Sequence, residues 1–161
     1  MLSEPRIVER AAMPYVGIGA TVTPPFGPVL DALFPELFGW VGARGLEWAD
    51  APIIRYHTTD MTNRMEIEVG VPIVGTATGD GRVRVGELPA GPYVVATHTG
   101  PYNGLMEATK ALLKWAAQHG IEWATTDDGR WLGRVELYPT NPAEEPDQSK
   151  WVTELAFLTR R

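Results

Sequence analysis

Hydrophobic residues recur at every third or fourth position between residues 105 and 118, whereas charged and polar residues occupy the other side of this periodicity. The apolar positions are Leu105, Ala108, Leu112, Trp115 and Ala116, and the polar positions are Glu107, Lys110, Lys114 and Gln118. This spacing predicts an amphipathic α-helix with one face packed against the rest of the protein. Gly120 follows at a position where a glycine commonly ends a helix.

Six other stretches are rich in Val, Ile, Tyr and Thr and are bounded by clusters of Gly, Pro and Asp, a pattern typical of β-strands. These stretches cover residues 7–23, 53–58, 65–73, 83–99, 135–138 and 151–159. The pattern therefore predicts a protein of mixed α and β structure.

Two blocks of the sequence occur twice in the same order. Residues 20–26 lie over residues 96–102, and residues 37–49 lie over residues 112–124, where Leu, Trp, Gly, Glu, Trp and Ala are shared. Such self-similarity indicates two copies of one structural unit, here strand, helix, strand, strand. We place the first copy at about residues 4–78 and the second at about residues 82–160, with residues 79–81 as their junction.

Two β-α-β-β copies predict an α+β fold, in which a mostly antiparallel sheet carries both helices on one face and a ligand cleft follows the pseudo-twofold axis. We expect residues 1–161 to form a single domain, since this length suffices for a sizeable core. On this prediction, the sheet face opposite the helices is free to bind a ligand.

The composition narrows the possible functions. The absence of cysteine excludes disulfides, thiolate nucleophiles and thiolate metal sites. The formal net charge of -6 and the scattered basic residues disfavour direct binding of nucleic acid, and no segment is left over for a DNA-reading helical domain. No apolar run or leader pattern suggests a membrane or an export route, so we expect a cytoplasmic protein whose partner is a small molecule. The oligomeric state stays open.

Glu136 interrupts an otherwise apolar and aromatic strand, Val135 to Tyr138. Strand alternation places Val135 and Leu137 on one face and Glu136 with Tyr138 on the other. If Val135 and Leu137 pack on the helices, Glu136 points into the cleft. The alternative is a solvated carboxylate paired with Arg134.

The tryptophans and tyrosines divide into two groups. Four tryptophans fall at equivalent positions of the two repeated blocks and are interpreted as core packing: Trp40, Trp48, Trp115 and Trp123. The aromatic residues outside the matched helical blocks are the better candidates for contacts with a ligand: Tyr102, Tyr138, Trp131 and Trp151.

No metal, cofactor or nucleophilic motif is found. His57, His98 and His119 lie far apart in the sequence, so no metal site is expected. Residues 17–19 read Gly-Ile-Gly, but no third glycine or P-loop lysine follows, and we expect no cofactor. The two serines, Ser3 and Ser149, lie in peripheral segments, which excludes serine hydrolase chemistry.

The chain resembles the GyrI-like, or AraC-type effector-binding, domain family over nearly its whole length. The matching pieces are LPAGPY at residues 88–93, HTGPY at residues 98–102, Trp115, ELYP at residues 136–139 followed by Asn141-Pro142, and WVTEL at residues 151–155. The fold of this family is a tandem β-α-β-β duplication, which agrees with the repeat.

The resemblance implies a cleft for lipophilic, often cationic aromatic compounds, with a buried glutamate at its centre. That glutamate matches Glu136, and the aromatic residues that match the family's pattern are Tyr102 and Trp151. Phe26 occupies the position of Tyr102 in the first copy, so it is expected to line the other half of the cleft. Tyr93, within the matching LPAGPY piece, is a further ligand-binding candidate.

The two copies predict an asymmetric cleft. Aligning Tyr56 with Tyr138 places Ile54 opposite Glu136, so that one half of the cleft is apolar where the other is charged. Such a cleft orients an amphipathic ligand, and Tyr56 and Ile54 join the ligand-binding candidates.

Three functions remain open at this point. The leading hypothesis is a binding protein that holds or sequesters a drug-like or toxic aromatic compound, with Glu136 as counter-charge. The alternative is a hydrolase of cyclopropane-containing DNA-alkylating compounds, in which Glu136 handles the attacking water and Tyr102 supports the developing oxyanion. The third is a protein that modulates gyrase by direct interaction.

Overall fold

The computed structural model describes residues 1–59 and 64–161. Ten regular elements follow one another along the chain: β1 (Arg6–Arg10), β2 (Met13–Val22), α1 (Gly27–Ala43), β3 (Ile53–Tyr56), β4 (Met65–Pro72), β5 (Val83–Leu88), β6 (Gly91–Thr99), α2 (Leu105–Gln118), β7 (Arg134–Leu137) and β8 (Val152–Leu158). Short 3₁₀ turns precede α2, at Tyr102–Gly104, and β8, at Gln148–Lys150.

The strands of the described residues form one eight-stranded antiparallel sheet in the order β1-β6-β8-β7-β3-β4-β2-β5. The predicted α+β class, with an antiparallel sheet and two helices, is confirmed. The tandem duplication itself stays an interpretation of the sequence.

Each of the two longest predicted strands is divided in the structure. Residues 7–23 form β1 and β2, and residues 83–99 form β5 and β6. The members of each pair do not lie side by side, because β1 pairs with β6 and β5 pairs with β2. Pro89 and Gly91 mark the second break, and Gly91 has φ +151, where a residue with a Cβ would be strained.

Both helices pack on the same face of the sheet. α1 buries Leu33, Leu37 and Val41 against alternate residues of β2 and β4: Val16, Ile18, Val69 and Val71. α2 buries Ala108 and Leu112 against alternate residues of β6 and β8: Val94, Ala96, Leu155 and Phe157. The two helices therefore cover opposite halves of the sheet and leave its central strands between them.

The face opposite the helices carries a hydrophobic cluster of its own, which includes Tyr15, Ile53, Val135 and Leu137. The condition that Val135 and Leu137 pack on the helices is therefore not met, and these two residues face away from them. The expectation that this face is free to receive a ligand is wrong at this cluster, since Tyr15 and Val135 are each 1% exposed.

Candidate functional site

A groove runs between the two helices, and its floor consists of β7 and β3, the two central strands of the sheet. Directly paired residues of antiparallel strands point to the same face, so the register gives the floor. One row is Ile54, Glu136 and Leu155, and the next row is Tyr56, Arg134 and Phe157. Glu136 therefore lies on the helix-bearing face of the sheet.

Two tyrosine hydroxyls bind Glu136. The hydroxyl of Tyr56 donates a hydrogen bond to Oε1 at 2.8 Å, and the hydroxyl of Tyr138 donates a second, short one to the same oxygen. Glu136 is only 7% exposed. The predicted carboxylate is thus placed on the groove floor and oriented by residues of both central strands.

Burial is the main influence on the pKa values of Glu136 and of the two tyrosines that bind it. It raises the pKa of Glu136, although the hydroxyls of Tyr138 and Tyr56 and the positive charge of Arg134 act in the opposite direction. Burial and the negative charge of Glu136 raise the pKa values of Tyr56 and Tyr138 well above their usual range. Both tyrosines therefore remain protonated donors at neutral pH.

Aromatic rings surround Glu136 on the helix side. The ring of Tyr138 meets two other rings edge-on: the distance between ring centres is 5.7 Å to Tyr102 and 6.5 Å to Phe34, from α1. Tyr102 also lies 4.8 Å from the ring of Trp151, whose indole N–H donates to the carbonyl of Glu145. Tyr138 is therefore the ring that connects the two sides of the groove.

Apolar residues of the first half complete the walls. Buried Ile54 packs in one cluster with partly buried residues of α1 and of the segment before it: Phe26, Leu30 and Phe34. The half of the groove beside β3 is therefore apolar, while the half beside β7 carries the charge.

Arg134 lies on the same strand and face as Glu136, two residues earlier. Its guanidinium carbon lies 4.5 Å from the ring centre of Phe157, 4.7 Å from that of Trp131 and 5.8 Å from that of Tyr56. Burial lowers the pKa of Arg134 from its usual value. Its Nε–H is buried without an acceptor among the described residues.

The structure gathers most, but not all, of the predicted site residues. Those in or beside the aromatic group around Glu136 are Tyr138, Tyr102, Trp151, Tyr56, Ile54 and Phe26. Trp131 lies further along the groove, against Arg134. Tyr93 is not brought to the groove, because it pairs with Val8 on β1 and belongs to the cluster on the opposite face, where its hydroxyl donates to the carbonyl of Pro89 at 2.6 Å.

Sequence reasoning missed two contributors to this groove. Phe34 lies between the two repeated blocks of the first copy, residues 20–26 and 37–49, and neither block drew attention to it. Arg134 was considered only as a solvent-exposed ion-pair partner of Glu136. The alternation that placed Glu136 and Tyr138 on one face places Arg134 there as well, so the signal was present in the sequence.

A second polar network lies on the opposite face of the sheet. Glu68 accepts hydrogen bonds at Oε1 from the hydroxyl of Tyr15, at 2.8 Å, and lies 2.5 Å from Nε2 of His57. Arg55 donates to the Tyr15 hydroxyl at 3.0 Å and to the carbonyls of Glu87 and Leu132. These bonds connect β2, β3 and β4 with β5 and with the segment before β7.

Two surface hollows, of about 420 and 410 Å³, lie away from the groove. The first lies between the N-terminal residues and α2, and the second lies beside β5, and neither is lined by a residue of the aromatic group around Glu136. The side chain of Glu136 is almost fully covered, and the rings of Tyr138, Tyr102 and Phe34 lie in contact beside it, so a ligand that touches the carboxylate has to displace some of these rings.

Within residues 1–59 and 64–161, no helix is long and apolar enough to cross a membrane. The same described residues contain no group of three His, Asp or Glu side chains placed to hold a metal ion.

Comparison with known proteins gives one family and several solved structures. The model of the GyrI-like small molecule binding domain matches residues 3–158. EcmrR in complex with DNA is 19% identical with a TM-score of 0.84; the chain aligns over 98% of its own length but spans only 57% of EcmrR. The isolated C-terminal domain of EcmrR is 18% identical with a TM-score of 0.82, and 98% of each chain is covered.

Two further structures share the fold at lower similarity. SAV2435 bound to tetraphenylphosphonium is 14% identical, with a TM-score of 0.65 and coverage of 98% of this chain and 94% of that one. A hydrolase from Listeria innocua is 12% identical, with a TM-score of 0.64 and coverage of 98% and 92%. No curated protein matches the chain at a significant level. At these identities the structures establish the fold.

Proposed function

The chain belongs to the GyrI-like small molecule binding domain family, and on that premise we propose that it holds a lipophilic, positively charged aromatic compound in the groove between α1 and α2. The observation that carries this proposal is the buried carboxylate of Glu136 on the groove floor.

A buried carboxylate is costly unless a cation or hydrogen-bond donors compensate for the lost hydration. The hydroxyls of Tyr56 and Tyr138 both donate to Oε1 of Glu136, and both hydroxyls are neutral. A cationic group of a ligand is the natural partner for the charge that remains. This places the positive end of the ligand over the centre of the floor.

The walls suit the rest of such a ligand. Tyr102, Trp151 and Phe34 present aromatic surface on both sides of Tyr138. Aromatic faces attract cations and stack on flat rings. The bound tetraphenylphosphonium of SAV2435, a lipophilic aromatic cation, is the kind of compound that this arrangement fits.

Entry requires side chains to move. Tyr102 lies in the short 3₁₀ turn before α2 and Trp151 directly precedes β8, so neither residue belongs to an α-helix or a β-strand. Both are partly exposed. We expect these two rings to separate from Tyr138 when the ligand enters.

Calorimetric titration with tetraphenylphosphonium tests the proposal. Glu136→Gln keeps the shape of the side chain and removes its charge, so affinity should fall about tenfold or more. Glu154→Gln is the matched control, because Glu154 lies on the neighbouring strand β8 but on the opposite face, paired with Arg10. Equal affinity of wild type and Glu136→Gln would refute the counter-charge role.

One observation also favours hydrolysis in the same groove. Burial raises the pKa of Glu136, which makes its carboxylate a stronger base toward a water molecule than an exposed glutamate is. Tyr56 and Tyr138, rather than Tyr102, are the tyrosines whose hydroxyls bind this carboxylate. Product analysis with a cyclopropane-containing alkylating compound tests the activity. Turnover no faster than in buffer would refute the hydrolytic activity and leave binding alone. Equal turnover by wild type and Glu136→Gln would refute the role of Glu136 in it.

A further inference from the structure

Arg134 gives the groove a second charged residue, of opposite sign to Glu136. The two residues alternate on one strand, which separates their Cα atoms by roughly 6.5–7 Å and points both side chains to the same face. Across the sheet, Arg134 is flanked by Tyr56 on β3 and Phe157 on β8, just as Glu136 is flanked by Ile54 and Leu155.

The guanidinium is held by ring faces and not by a carboxylate. Phe157 and Trp131 lie 4.5 and 4.7 Å from its central carbon. Among the described residues, no carboxylate oxygen lies within 4.0 Å of its nitrogens, so Glu136 is near enough to influence it electrostatically but does not form an ion pair with it. Stacking leaves the N–H groups at the edge of the guanidinium available to an acceptor.

The Nε–H of Arg134 has no acceptor in the described part of the chain although it is buried. Leaving a charged donor without a partner away from water is unfavourable, and such groups in native proteins call for an explanation. Arg134 lies beside Glu136 on the floor of the proposed ligand groove, so an acceptor on the ligand would explain why the protein itself provides none.

We infer that Arg134 is a specificity-determining residue and that the ligand is amphoteric: a flat aromatic compound whose positive end lies at Glu136 and whose carboxylate or other anionic oxygen accepts hydrogen bonds from Arg134. The inference rests on the proposed function and refines its ligand class. A pair of opposite charges on the floor favours a ligand with two matching charges over a simple cation, because a simple cation leaves Arg134 without an acceptor and is repelled by it.

A pair of matched dyes tests the inference. The first is a rhodamine with a free carboxylate on its phenyl ring, and the second is the methyl ester of the same rhodamine, which keeps the cationic tricycle and lacks the anionic group. Fluorescence anisotropy gives both affinities. The wild type should bind the carboxylate form about tenfold more tightly than the ester, as expected for a charge-assisted hydrogen bond.

Variants at Arg134 identify the residue responsible. Arg134→Met retains an unbranched side chain between the rings and removes the charge, so it should lose the preference while it binds the ester as well as wild type or better. Arg134→Lys keeps the charge and should retain part of the preference. Arg6→Met is the control for net charge, since Arg6 is exposed on the edge strand β1 and should leave the preference intact.

The outcomes separate the two proposals. A wild type that binds neither the two dyes nor tetraphenylphosphonium refutes the proposed function and this inference together. A wild type that binds tetraphenylphosphonium but neither dye refutes the inference alone. A wild type that binds both dyes equally, or an Arg134→Met variant that keeps the preference, refutes the inference alone. If Arg134→Met does not fold, the two dyes are compared on wild type and on Arg134→Lys instead. A preference that Arg134→Lys leaves unchanged does not depend on the paired N–H groups of the guanidinium, and it refutes the inference.

Discussion

Glu136 and Glu68 lie on opposite faces of the sheet, and each accepts a hydrogen bond from a tyrosine hydroxyl. Burial raises the pKa of Glu136. Burial acts in the same direction on Glu68, but the bonds from His57 and Tyr15, with the charges of His57 and Arg55, outweigh it and hold the pKa of Glu68 below its usual range. The two carboxylates should therefore affect stability with opposite dependence on pH.

A carboxyl with a raised pKa binds its proton more strongly in the folded than in the unfolded state. Its contribution to stability therefore falls as pH rises above the ordinary value of 4.5. We expect Glu136→Gln to increase the free energy of unfolding by about 1 kcal/mol at neutral pH, because the amide avoids the cost of a buried charge. Urea denaturation at a series of pH values should show this advantage disappearing on acidification. A variant less stable than wild type at neutral pH would contradict the expectation.

The sign is reversed for Glu68. Its lowered pKa means that the folded state favours the carboxylate, so stability is present at neutral pH and is lost as pH falls through the lowered pKa. We expect Glu68→Gln to decrease the free energy of unfolding by about 1–3 kcal/mol at neutral pH and by much less in acid. The same urea series measures the difference. A loss of equal size at every pH would indicate that packing, and not charge, is responsible.

The ring of Tyr15, on β2, packs directly over Gly86 of the neighbouring strand β5. A Cβ added at Gly86 would lie 2.6 Å from Cζ and 2.7 Å from the hydroxyl oxygen of Tyr15, whose side chain is almost fully buried. Gly86 pairs directly with Tyr15 in the ladder between the two strands. The ring therefore occupies the space that a side chain on β5 would need.

Substitution of Gly86 by alanine should displace the Tyr15 ring from its position over the sheet. We expect Gly86→Ala to decrease the free energy of unfolding by about 1–3 kcal/mol, the usual cost of overpacking a buried site. Gly19→Ala is the control, since a Cβ there meets nothing nearer than 3.8 Å. Equal stability of Gly86→Ala and Gly19→Ala in urea would show that the Tyr15 ring moves aside without lowering the free energy of unfolding.

The elements were more predictable from the sequence than their pairing. The apolar periodicity located α2, and Val, Ile and Tyr content located the strands, because both depend on residues near in sequence. The pairing of β1 with β6, such as Arg6 opposite Val95, joins distant segments, and the alternation within residues 7–23 carries no information about which strand lies alongside. The same limitation applies to Val135, since alternation separates two faces of a strand without saying which face the helices cover.

Over the whole molecule, the groove was foreseeable in part. Glu136 stood out because a carboxylate in an apolar strand is unusual, and Tyr138 followed by alternation. The partnership of Glu136 with Tyr56 required knowing that β3 and β7 are neighbours, which becomes visible only when the sheet is assembled. Tyr93 was assigned to the groove through a shared motif, and the sheet separates it from Glu136 because it lies on the opposite face.

The two halves of the sheet meet along a narrow seam. β3 and β7 are four residues long, and four residue pairs join them to each other, β3 to β4 and β7 to β8, while eight pairs join β2 to β4 and seven join β6 to β8. α1 packs on one half of the sheet and α2 on the other. A small change of twist between β3 and β7 would therefore change the distance between the two helices. We expect ligands of increasing girth to be recorded as increasing separation between spin labels on α1 and α2, measured by pulsed electron resonance. A separation that stays constant from ligand to ligand would mean that the seam is rigid and that only side chains make room.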